Sequence, residues 1–142
     1  MCGIIGIIQK NVLFHLFEGI KQLQNRGYDS AGFSYFNNEN NLMTYKYAST
    51  DDKSAIVKLK PIIESKNSSS LCCGMAHTRW ATHGAKTDTN SHPHMSFNER
   101  FVLVHNGIIE NFQEIKSFLA RQGISCISQT DTEVIVNLLA YY

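Results

Sequence analysis

Cys2 is the first residue that could do chemistry. The chain opens Met1-Cys2-Gly3-Ile4-Ile5-Gly6-Ile7, and loss of Met1, which a small second residue favours, would leave a thiol and a free α-amine on one residue. An α-amine with an ordinary pKa of about 7.7–8.0 can take and return protons for a thiol whose own ordinary value is about 8.5. The plainer reading is a small apolar residue opening a buried strand. A second group runs His77-Thr78-Arg79-Trp80-Ala81-Thr82-His83-Gly84 and continues to Asn90-Ser91-His92-Pro93-His94; five of the six histidines lie between His77 and His105. The planar guanidinium of Arg79 suits a carboxylate, and Thr82 and His83 can add donors to the same anion. Taken singly, the same residues also read as a solvated arginine and surface histidines.

Two further groups lie downstream. In His105-Asn106-Gly107-Ile108-Ile109-Glu110-Asn111, Asn-Gly after an apolar run is a turn signal, yet an Asn amide and a Gly N–H can also aim two donors at one point and form an oxyanion hole. In Ser128-Gln129-Thr130-Asp131-Thr132-Glu133, Thr130 and Glu133 fit a capping box and Asp131 an acidic first helical turn; alternatively, Asp131 holds a substrate ammonium. A metal centre is not expected. Cys72 and Cys73 would point to opposite faces of a strand, His92-Pro93-His94 offers only two ligands, and no cofactor motif is present.

These residues need a scaffold of alternating strands and helices. Strands are expected over 2–8, 31–36, 41–48, 71–78, 101–105 and 124–128. Helices are expected over 12–25, with Asn11 as N-cap, over 51–65 with a disturbance at Pro61, over 113–122, and from Asp131 onward. Val12, Leu13, Leu16, Phe17, Ile20 and Leu23 share one helical face. Asn37-Asn38-Glu39-Asn40 joins two strands as a hairpin, 67–70 is a loop, and 80–98 is a polar segment too long to be a plain connection. An apolar fraction of 43% with 18% charged residues gives one globular domain in 142 residues. A net charge of +1 offers no bulk attraction for nucleic acid or an anionic membrane, and no apolar run approaches the roughly 18 residues of a membrane span. Four cysteines without a paired framework, and no leader before Cys2, point to a reducing, cytoplasmic setting.

In chain order, Cys2-Gly3-Ile4-Ile5-Gly6, Asn25-Arg26-Gly27-Tyr28-Asp29-Ser30-Ala31-Gly32, the 77–84 and 90–94 segments, Val104-to-Asn111 and the 128–133 segment resemble the class II, N-terminal-nucleophile glutamine amidotransferases. Arg-Gly-Tyr-Asp-Ser and Thr-Arg-Trp-Ala-Thr-His-Gly resemble the branch that aminates fructose 6-phosphate, rather than asparagine synthetase, glutamate synthase or the purine-pathway enzyme. The resemblance implies an α+β fold, a four-layer αββα sandwich of two antiparallel sheets. It implies Cys2 as the nucleophile, Asn106 and Gly107 as the oxyanion hole, and Arg79, Thr82 and His83 on the α-carboxylate of L-glutamine. Asp131 falls to the α-ammonium, Arg26 and Gly27 to the nucleophile's surroundings, and Trp80 to a gate for ammonia. It also implies that residues 1–142 are the N-terminal portion of a type 2 amidotransferase domain, without its later strands or the sugar isomerase domains. On that view the sandwich is incomplete and the chain marginally stable, associating with an isomerase-bearing chain or with itself through an open edge. The alternative to catalysis is a non-catalytic remnant or partner-binding subunit.

Overall fold

Four extended segments build one antiparallel sheet. The computed structural model describes residues 2–26, 28–66, 71–81 and 84–142, without the side chains of Arg26, Leu71 and Cys72. Gly27, Thr82, His83 and the expected 67–70 loop therefore lie outside the described residues. The strands are β1 (Gly3–Lys10), β2 (Ser30–Phe36), β3 (Leu42–Ala48) and β4 (Leu71–Arg79), in the order β1-β4-β2-β3. The β2–β3 hairpin closes as expected, with the Asn37 carboxamide oxygen accepting from Glu39 N–H at 3.0 Å and Asn41 N–H at 2.8 Å.

One sheet face is apolar and covered by helices. Helix α1 (Val12–Leu23) buries Val12, Leu13, Leu16 and Ile20, and α2 (Ala55–Ser65) buries Ala55 and Leu59, against Ala31, Phe33, Tyr35 and Ala76 of the strands. Asn11 stands before α1 in a left-handed conformation and its side chain caps nothing, which corrects the expected N-cap bond. Helix α2 begins four residues later than expected. Thr50 and Lys53 close a turn on each other, and the Ser54 hydroxyl accepts from Val57 N–H at 3.4 Å as the true cap. Pro61 sits inside α2 without ending it.

The opposite face carries the chemistry. Ile4 pairs with His77, and His77 with Gly32, so strand alternation puts Ile4, His77, Gly32 and Lys46 together and extends that side to Cys2 and Arg79. A short ladder of β5 (His94–Met95) and β6 (Val102–Leu103) belongs to the covering layer, and α4 (Asp131–Tyr141) packs on both of its strands. Helix α3 (Phe112–Arg121) joins α4 in a second core around Leu119, Ile124 and Val134. The strand expected over 124–128 does not form. Its donors go elsewhere: Ile124 N–H to the Leu119 carbonyl, and Ile127 and Ser128 N–H to the Glu133 carboxylate at 2.8 and 2.5 Å. The architecture is α+β with antiparallel sheets. Among the described residues no helix is long and apolar enough to cross a membrane.

Candidate active site

At one end of the polar sheet face, six of the expected site residues meet. Cys2, Arg79, Trp80, Asn106, Gly107 and Asp131 line a single cleft. Cys2 precedes β1 and Arg79 ends β4, so the ladder itself brings thiol and guanidinium together. The Cys2 sulfur accepts from the Trp80 backbone N–H at 3.2 Å and approaches the Trp80 carbonyl at 3.6 Å. The Asn106 amide donates to the Cys2 carbonyl at 3.2 Å. Gly107 is a close-approach position: a Cβ there would stand 2.6 Å from His105 Nε2. Trp80 is 42% exposed and meets Tyr28 edge to face at 5.1 Å.

The two charged residues are held differently from the simple readings. Arg79 is buried, not a solvated surface arginine. Burial pushes its guanidinium below the ordinary value, opposed by Cys2, Asp29 and Asp131 nearby. Asp131 opens α4 and accepts the Ile109 backbone N–H at 2.7 Å, which ties the segment after Asn106-Gly107 to that helix. The expected capping box is absent. The Thr130 side chain caps no helix N–H but bonds the Ser128 hydroxyl at 2.9 Å and His94 Nε2 at 2.8 Å, while Glu133 reaches past it to residues 127 and 128.

Sequence reasoning missed the histidines as a unit. His77, His92, His105 and Thr130 also line the cleft. His77, His92 and His94 are all buried, not surface residues, and lie in series: His77 stacks on His92 at 4.3 Å and 19°, and His92 meets His94 edge to face at 4.8 Å. The His105 backbone N–H reaches His92 Nδ1 at 3.4 Å. Burial keeps the rings neutral, pulling His77 down to about 4 and His94 to about 3, with Arg79 adding to the effect in both. The available signal was His92-Pro93-His94, whose two histidines both lie inside this layer.

The described residues of the 80–98 segment are tied down at several points. Asp29 accepts from Ala81 N–H at 2.8 Å and pairs with Lys86 at 2.5 Å. Burial alone would raise the Asp29 carboxyl, but Lys86, the Ala81 N–H and Arg79 together hold it below its ordinary value. Lys46 donates to the carbonyls of Thr89 at 3.2 Å and Ser91 at 2.8 Å; burial drops its ammonium to about 8. Asn90 Nδ2 donates to the Ala85 carbonyl at 2.9 Å and to the Gln129 side-chain oxygen at 3.0 Å, and its Oδ1 accepts the Gln129 backbone N–H at 2.9 Å. Arg26 has its backbone in a single 3₁₀ turn. Among the described residues no three His, Cys, Asp or Glu side chains gather into a metal-holding group.

Residues 63–142 match the family model described as a glutamine amidotransferase domain. The chain is 46% identical, over its whole length, to the glutamine–fructose-6-phosphate aminotransferase (isomerizing) of Staphylococcus aureus and to that of Caldanaerobacter subterraneus subsp. tengcongensis. It is 44% identical over 98% of its length to the protein of the same name from Bacillus thuringiensis subsp. konkukian. In each case it spans 22% of the relative's own length.

Proposed function

Since the chain belongs to the glutamine amidotransferase domain family, we propose that it hydrolyses the side-chain amide of L-glutamine through Cys2 and delivers the ammonia to fructose 6-phosphate bound by an isomerase-bearing segment. The observation that carries this reading is the meeting, in one cleft, of a thiol, a backbone-anchored carboxamide and two opposite charges, Arg79 and Asp131. An amino acid needs a cationic and an anionic anchor, and an amide under attack needs a nucleophile and oxyanion donors.

In the proposed sequence, Arg79 takes the α-carboxylate and Asp131 the α-ammonium, with Thr82 and His83 assisting Arg79. The Cys2 thiolate, its proton held on its own α-amine, forms a bond to the amide carbon. The oxygen becomes an oxyanion facing the Asn106 amide and Gly107 N–H, each donor of this kind being worth about 2.7–4 kcal/mol in favourable sites. The α-amine returns its proton to the leaving nitrogen, the C–N bond breaks, and ammonia departs past Trp80. Water then cleaves the thioester, releasing glutamate and restoring the thiol. The same reading gives Arg26 and Gly27 the role of ordering the nucleophile's surroundings. The fold proposed for this work is the αββα sandwich, with the layer of β5 and β6 as part of its second sheet, and the setting is the cytoplasm.

The test is ammonia and glutamate release from L-glutamine by protein whose mass confirms a free Cys2 terminus. Release by the parent chain and none by Cys2→Ala supports the reading. No release from correctly processed, folded protein overturns it in favour of a partner-binding, non-catalytic role.

A further inference from the structure

We propose that His77 is a positioning residue for Asn106: its ring, as the Nε2–H tautomer, donates to the carboxamide oxygen and thereby turns the carboxamide nitrogen toward Cys2. The inference rests on the glutaminase reading above and assigns a device that makes its oxyanion donor unambiguous.

An asparagine carboxamide has two ends of nearly equal size and opposite hydrogen-bonding character. Only one orientation presents N–H groups to an oxyanion; the flipped one presents a lone pair to it. Two contacts decide the matter here. The Cys2 carbonyl lies 3.2 Å from Asn106 Nδ2, and a carbonyl can only accept. The Asn106 oxygen then faces His77 Nε2 at 2.8 Å and needs a donor there. A neutral imidazole has a single N–H, so placing it on Nε2 leaves Nδ1 bare. That fits the surroundings: Nδ1 is buried with no hydrogen-bond partner among the described residues. An N–H at Nδ1 would be a stranded donor and would leave Asn106 free to flip.

The ring cannot readily leave this position. His77 is 1% exposed and lies flat on His92, whose own Nδ1 receives the His105 N–H. Gly32, opposite His77 in the ladder, has no side chain, and a Cβ there would run into the His92 carbonyl. The ring is thus clamped between strand β4 and the covering segment. Burial, assisted by Arg79, outweighs the hydrogen bonds to Asn106 and to the His105 backbone and disfavours the imidazolium, so the ring stays neutral at neutral pH and the contacts of its two nitrogens choose the tautomer. The chain from His105 N–H to His92 to His77 to Asn106 therefore ties two neighbouring residues of the 105–107 segment to the covering layer and the sheet. A residue that merely filled space at position 77 would not need a ring nitrogen aimed at the carboxamide.

Two measurements separate this inference from the reading it rests on. Ring ¹⁵N resonances of His77 in the resting protein report the tautomer without any turnover. Protonated Nε2 with bare Nδ1 is expected, and protonated Nδ1 would overturn the proposal whether or not the chain is a glutaminase. The second measurement compares His77→Leu, which keeps bulk without a donor, with His77→Gln, whose side-chain amide can donate from near the Nε2 position. His77→Leu is expected to lower kcat for glutamine by about 10²-fold, and His77→Gln to recover about tenfold of that loss. KM should stay within about threefold in both, because the substrate's charged ends are held elsewhere. Wild-type kcat in His77→Leu, a loss confined to KM, or no recovery in a folded His77→Gln would each sink it. An inactive parent chain would instead count against the glutaminase reading and leave the tautomer as the deciding result.

Discussion

The Cys2 sulfur accepts the Trp80 backbone N–H at 3.2 Å and lies in the same cleft as the buried Arg79 guanidinium. Cys2→Ala, or retention of Met1, is expected to abolish glutaminase activity, whereas Cys73→Ala, at the opposite end of β4 from Arg79 and outside the cleft, should remain active; mass spectrometry paired with ammonia release checks both. At Asp131 the charge and the backbone contact can be separated. Asp131→Asn keeps an acceptor for the Ile109 N–H and removes only the charge, so glutamine KM should rise roughly ten- to a hundredfold with kcat little changed, while Asp131→Ala should also lower kcat by freeing the 107–109 segment. Arg79→Ala should raise KM by a similar factor, and unchanged glutamine binding by calorimetry would remove Arg79 from the substrate. The individual chemical groups were legible in the sequence because type and spacing alone mark a second-position thiol, a lone Arg between Thr and Trp, and Asn-Gly after an apolar run. The histidine stack was not, because whether a histidine is buried or solvated depends on which layer covers it.

At the scale of elements, the site exists because a covering segment lies directly on the sheet. The sheet permits that approach where Gly32 leaves a gap between His77 and Lys46, each paired with it in the ladder, under the His92 carbonyl. Gly32→Ala should push residues 91–94 off the sheet and destabilise the fold by about 1–3 kcal/mol, with kcat falling further than stability alone explains; urea unfolding beside kinetics checks this. The strands and helices of the sheet's apolar side were readable because α1 buries one helical face and β2 and β3 place Ala31, Phe33, Tyr35, Met43, Tyr45 and Tyr47 at every second position on the core side. The polar side was less so. Residues 80–98 are held by side chains acting on backbone, from Asp29, Lys46, Asn90 and Gln129, and such bonds leave no periodic trace. The 124–128 strand failed for the same reason: the Glu133 carboxylate, five and six residues on, took two of the donors that a ladder would have used.

Over the whole molecule, the polar sheet face divides into two ends. One is closed by the histidine layer; the other is an apolar groove of about 340 Å³ that includes Ile8, Phe36, Leu42, Cys73 and Met75, with Ile8 78% exposed. The closed end is a contact between sheet and covering layer built on buried, uncharged imidazoles. In His77 and His94 burial lowers the pKa below the ordinary 6.5, to about 4 and about 3, and in His92 burial and the flanking rings act in the same direction. A depressed histidine pKa means that the unfolded chain binds more protons, so stability is complete above about pH 6.5 and is lost as pH falls from there toward 4 and then 3. Each such histidine contributes a slope of about 1.4 kcal/mol per pH unit across that window. Most carboxylates titrate lower, near their ordinary values of about 4, so the loss between pH 6.5 and 5 isolates the histidine layer. The urea midpoint is expected to fall steadily over that interval. It should fall less steeply in His94→Gln, whose amide can still bond the Thr130 hydroxyl but cannot take up a proton. A midpoint that stays level from pH 7.5 to 5 would mean that the layer already accommodates an imidazolium, and that the contact between sheet and cover does not depend on neutral rings.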